Sequence, residues 1–167
     1  MERALPFAIA AVIAVAIVEL ILSARWTRGY FVYGIPIFVR RVMRPQGIAE
    51  VSLDELQKST ASAAGPQLVF RRLAPDVIAF REELLSGGVL HYSPIMHGCI
   101  RHDPMEGAVR VVGLLNWFVA AFVSVLVAML GRGMLAMLPL LAGVVAVIYF
   151  IQAVRYNRVA KKLATAV

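Results

Sequence analysis

Three long apolar runs dominate the pattern of hydrophobic and polar positions along the chain. The first, Leu5 to Leu22, is rich in Ala, Val and Ile and is broken only by Glu19. The second runs from about Val111 to Leu130, with Asn116 and Ser124 as its strongly polar side chains. The third extends from Met134 to about Ile151 and is expected to continue as a helix through Gln152 towards Lys162. Roughly 20 helical residues at ~1.5 Å rise cross a hydrocarbon core, and lipid offers no water to an open backbone. The pattern therefore predicts an α-helical integral membrane protein with three transmembrane helices. One is an N-terminal anchor and two form a C-terminal helical hairpin, with a small antiparallel α+β domain between helices one and two. The expected divisions are 1–24 for the anchor, 25–110 for the domain, 111–154 for the hairpin and 155–167 for a basic tail.

The first run reads as a retained anchor rather than a cleaved signal peptide. Its apolar stretch is longer than the usual ~7–15 residues, and cleavage after Ala24 would put Leu22 where a small residue is required. The second and third runs are separated by Gly131-Arg132-Gly133, a link short enough to force an antiparallel hairpin. Ala120, Ser124 and Ala128 recur every fourth residue, the small-residue spacing that lets helix backbones approach. On the third run Ala136, Gly143 and Ala146 lie on roughly one stripe, with Pro139 as a local kink. Glu19 and Asn116 fall at similar depth near the inner ends of their helices, which predicts a hydrogen bond between helices one and two. So close to the end of its helix, Glu19 can also reach towards Arg25 at modest cost.

Between the apolar runs the period shortens to two. Tyr30–Val42 is aromatic and β-branched, with Gly34 and Pro36 marking a bend or bulge. Ser52-Leu53-Asp54-Glu55 has the form of a capping box and opens a helix that ends before Gly65-Pro66. Gln67–Leu73 and Val77–Glu83 flank Ala-Pro-Asp as a β-hairpin. Val89–Met96 and Gly98–Arg101 read as a strand broken at Pro94, and Ala108–Val112 as an extended piece feeding the second membrane helix.

Composition supports the membrane class. Of 167 residues, 60% are hydrophobic and 16% charged, against about 45–50% and 25% in soluble domains. One cysteine excludes a disulfide scaffold. Charge then predicts orientation. Of 17 Lys and Arg, all but Arg3 and Arg132 lie between the first two apolar runs or after the third. The positive-inside rule puts the N-terminus outside and the central domain and C-terminus in the cytoplasm, in an inner (plasma) membrane. The basic side chains Arg40, Arg41, Arg44, Arg155, Arg158, Lys161 and Lys162 are candidates for contact with anionic lipid headgroups or a partner. No nucleic-acid-binding motif accompanies them, so nucleic acid is not expected as a partner.

The densest chemical cluster is His91, His97, Cys99, His102 and Asp103. Three N/S donors could serve a borderline metal, yet the spacing matches no zinc pattern. Cys99 and His97 lack an orienting third group for nucleophilic work. No G-x-S-x-G, H-E-x-x-H or phosphate-cradling glycine loop occurs, and neither a metal nor a cofactor is expected. The sequence thus reads as a non-catalytic accessory or scaffold subunit of a larger membrane complex. A membrane-anchored module for anionic lipid or a cytosolic partner is the second reading, and a metal- or thiol-dependent membrane enzyme the third.

Overall fold

The computed structural model describes residues 4–44, 46–61, 66–83, 94–129 and 138–165. Its elements run α1 (Ala4–Ala24), α2 (Arg28–Val32), β1 (Pro36–Met43), α3 (Leu53–Thr60), β2 (Leu68–Ala74), β3 (Val77–Glu82), β4 (Met96–Asp103), β5 (Ala108–Leu115), α4 (Trp117–Met129) and α5 (Leu138–Thr165). The strands form one antiparallel sheet in the order β1-β5-β4-β3-β2. Strands β2 to β5 are a meander, and β1 returns to the free side of β5.

Side chains alternate between the faces of a strand, and register partners share a face. Phe38 and Val42 therefore lie on one face with Val109, Val111, Ile100, Ile78, Phe80 and Phe70. The second half of α5 covers this face through Tyr156, Val159, Ala160 and Leu163, all fully buried, and α3 adds Leu56. The Tyr156 ring meets Phe80 edge-on at 4.7 Å, and its hydroxyl donates to the Met96 carbonyl at 3.0 Å. Gly98 is needed beneath this stack, because a Cβ there would collide with the Phe80 ring. The opposite face is closed at one end by Tyr30 and Phe31 of α2, packed on Ala79 with Leu22, Trp26 and Leu73 around them.

The expectation of an α-helical protein with three transmembrane helices is overturned. Among the described residues two helices, α1 over Pro6–Ala24 and α5, are long and apolar enough to cross a membrane. The second apolar run begins as sheet: β5 continues to Leu115, with Val111 and Leu114 buried. Among the described residues of this run, only Trp117–Met129 is helical, 13 residues, or ~20 Å where about 30 Å is needed. A buried strand and a membrane helix are equally apolar over a short window, and composition does not separate them. The Gly131-Arg132-Gly133 link and Ala136 lie outside the described residues.

Two further boundaries shift. The extended stretch expected from Tyr30 starts instead with the helix α2, and the strand begins only at Pro36. Residues 155–165 are helical, as expected towards Lys162, but they belong to α5 and fill the core where a separate basic tail was expected. The capping expectation holds, with Ser52 Oγ accepting from the Glu55 amide at 3.3 Å. Of the broken strand, residues 89–93 lie outside the described residues, and β4 starts at Met96.

Candidate functional site

Each of three apolar stretches carries one strongly polar side chain where it reaches the sheet: Glu19 in α1, Asn116 just before α4, and Gln152 in α5. Asn116 and Gln152 converge on Pro94-Ile95. Asn116 Nδ2 donates to the Pro94 carbonyl at 2.8 Å, and its backbone amide to the Ile95 carbonyl at 2.8 Å. The Ile95 amide donates to Gln152 Oε1 at 3.1 Å. Glu19 serves the start of α4. Its Oε1 accepts from the Tyr30 hydroxyl at 2.6 Å and the Trp117 amide at 3.0 Å, and its Oε2 from the Phe118 amide at 2.7 Å. The next two amides, Val119 and Ala120, donate to the Asn116 carbonyl. All four orphan donors of the helix start are thus satisfied, and a carboxylate sits at the positive end of the helix dipole. The expected bond between Glu19 and Asn116 is replaced by this cap.

His97 joins the junction from β4. Its Nδ1 lies 2.7 Å from Asn116 Oδ1 and its Nε2 2.9 Å from the Tyr30 carbonyl, while its ring stacks on Tyr30 at 4.0 Å. Both facing atoms are acceptors, so full satisfaction needs a proton on each ring nitrogen. Burial opposes this and pushes the imidazole below its ordinary value, against the Asn116 and Tyr30 hydrogen bonds and the Glu19 charge. Burial likewise drives the Tyr30 hydroxyl well above its usual range, with its hydrogen bond to Glu19 adding to the effect. Tyr30 therefore remains a donor.

The sign for stability follows. A histidine whose native value is depressed gives stability that is complete above the unfolded value of about 6.5 and is lost as pH falls through the native one. The thermal midpoint in detergent is expected to drop between pH 7.5 and 5, and His97→Gln to flatten part of that drop. Parallel slopes for the two proteins would contradict the assignment.

Beside this network Trp26 adopts a left-handed backbone (φ 54°). Its ring stacks on Phe31 at 5.2 Å and lies 5.1 Å from the Arg81 guanidinium. Burial lowers the Arg81 value from that of a free arginine.

The His/Cys cluster does not assemble. His97 and His102 project from opposite faces of β4, since five residues separate them. Cys99 shares the His97 face but is fully buried; burial pushes its thiol up, and Arg101 Nε donates to its Sγ at 3.2 Å. His91 lies outside the described residues. Among the described residues, no group of three or more His, Cys, Asp or Glu is placed to hold a metal ion.

The basic candidates separate as well. Arg155 is buried against Glu82 and the Pro66 carbonyl. Arg44 donates to the Leu163 carbonyl at 2.8 Å, and Arg41 pairs with Glu106 at 3.6 Å. Arg40, Arg158, Lys161 and Lys162 are exposed. Among the packing residues, α4 lies against α1. Ser124 folds its hydroxyl back to the Ala120 carbonyl at 2.8 Å. Ala128 and Ala146 are exposed, and a Cβ added at Gly143 would meet nothing within 4 Å. Tyr30 and Gln152 were not singled out in the sequence. Gln152 carried a readable signal, a lone amide at the end of an apolar run.

Compared with protein-family models, curated proteins and solved structures, the chain matches none.

Proposed function

We propose that this chain is a non-catalytic scaffold subunit of a larger membrane assembly, holding its sheet domain at a fixed attitude to the bilayer. The observation that carries this reading is the continuity of α5. One 28-residue helix is apolar and largely exposed in its first half, and in its second half supplies Tyr156, Val159, Ala160 and Leu163 to the sheet core. A flexibly tethered enzyme or recruiter needs a linker there. Here the only residue between β5 and α4 is Asn116, itself hydrogen-bonded on both sides. The exposed apolar surfaces of α1 and α5 suit lipid and neighbouring helices. The excess of Lys and Arg on the domain and the end of α5 supports a cytoplasmic position in the inner membrane, with the N-terminus across α1.

The test is purification from membranes in mild detergent through a tag after Val167, followed by native mass measurement. The expected result is a discrete complex of fixed stoichiometry with other membrane subunits. A lone 18.2 kDa chain would overturn the reading.

A further inference from the structure

A cavity of about 130 Å³ opens beside the junction. Its wall is divided. Ala16 and Leu20 of α1 and Phe118 of α4 form an apolar half, and Ser23, Arg81 and His97 a polar half. Ala16, Leu20 and Ser23 are spaced to share one side of α1, so this side changes from apolar to polar where the helix meets the sheet.

Arg81 is the group the rest of the network does not use. It is half-buried, stacked over Trp26, and its buried Nε has no hydrogen-bond partner. Among the described residues it makes no ion pair. The two carboxylates that line the cavity are engaged elsewhere, Glu19 by three donors and Glu82 by Arg155, and the acid whose charge acts on Arg81 is Glu83, exposed two residues along the chain. A cation partly withdrawn from water gains from an anion brought into the same cavity, and a guanidinium is shaped for two-point contact with phosphate.

We propose that this cavity binds the phosphate group of an anionic phospholipid, with Arg81 as the contacting cation and the Ala16–Leu20 side of α1 as the track for an acyl chain. The shared chemistry is a phosphate anion. The lipid source is favoured because the polar half of the site continues directly into exposed apolar helix, where free phosphate gains nothing. The proposal draws on the membrane-anchored reading for that source, and not on the existence of a larger complex.

The test uses the delipidated full chain in a neutral maltoside detergent, in a Trp117→Phe background so that Trp26 is the remaining tryptophan. Short-chain phosphatidylglycerol is titrated against Trp26 emission, alongside phosphatidylcholine and inorganic phosphate. Saturable binding of phosphatidylglycerol is expected, with both other probes weaker by about tenfold or more. Arg81→Gln should weaken it about tenfold, while Arg71→Gln, exposed on the same face of the sheet, should not change it. If Arg81→Gln fails to fold, Arg81→Lys decides: it keeps the charge but loses the fork, and weaker binding is still expected. Equal effects at Arg81 and Arg71, unweakened binding in Arg81→Lys, no saturable response, or phosphate binding as tightly as lipid would each overturn the proposal. A chain that purifies alone yet passes this titration would overturn the scaffold reading and leave the lipid site standing.

Discussion

Glu19→Ala is expected to lower the thermal midpoint of the detergent-solubilised chain by roughly 10 °C. The substitution removes the acceptor for the Tyr30 hydroxyl and for the amides of Trp117 and Phe118. An unsatisfied buried donor costs about 1–3 kcal/mol, and water from the adjoining cavity recovers part of this. A net loss of about 3–5 kcal/mol corresponds to this shift at ~2–4 °C per kcal/mol. Glu19→Gln separates charge from shape. It keeps one acceptor oxygen but turns an NH₂ towards an amide that also donates, so roughly half the loss should remain. Glu50→Gln, at an exposed carboxylate, should stay within about 0.5 kcal/mol. A Glu19→Ala midpoint within 2 °C of the parent would show that the α4 start does not depend on this cap.

The second large effect is expected at Arg155. Its guanidinium meets the Glu82 carboxylate and the Pro66 carbonyl, with both side chains almost fully buried. Arg155→Ala leaves the Glu82 charge in the interior without that counterion, a change that costs about 3–5 kcal/mol. Because Arg155 lies three residues after Gln152, the loss falls where α5 joins the sheet, and protease sensitivity should appear in residues 155–165 first. Combining Arg155→Met with Glu82→Leu should recover most of the loss, since apolar replacement of a buried pair is often neutral. Arg158→Ala, three residues further along but exposed, is the control. Equal midpoints for Arg155→Ala and Arg158→Ala would remove the pair from any role in holding α5.

Much of the central domain was legible because its signals are local. The β2–β3 hairpin follows from two period-2 runs about Ala-Pro-Asp, and α3 from the Ser52 cap. Charge bias and apolar length marked α1 and the first half of α5. The errors came where one residue type suits two environments. Val111-Val112-Gly113-Leu114-Leu115 is apolar enough for lipid, but its neighbours in space are β1 and β4, so it is sheet. Tyr156, Val159, Ala160 and Leu163 were hidden among the Lys and Arg of the same stretch, although their spacing is that of a buried helix face.

The candidate site was legible only in part. Glu19 and Asn116 stood out as polar residues in apolar surroundings, and their similar depth was readable. Their partners were not. Asn116 has the identity of a helix cap, yet its side chain is taken by His97 and Pro94, and capping passes to a carboxylate 97 positions earlier in the chain. Tyr30 and Arg81 reach the same junction from α2 and β3.

By itself the sequence determined what depends on composition and short-range period: apolar helices long enough for a membrane, a hairpin, a capped helix, and a strongly basic balance. Only the tertiary structure decided how many of those apolar stretches are helix, which face of α5 is core, and which donors meet the single carboxylate of α1. The physical reason is that burial and hydrogen bonding are satisfied in space. Apolar residues accept any dry environment and a buried donor accepts any suitable oxygen, so the choice among them is made by the sheet that brings them together.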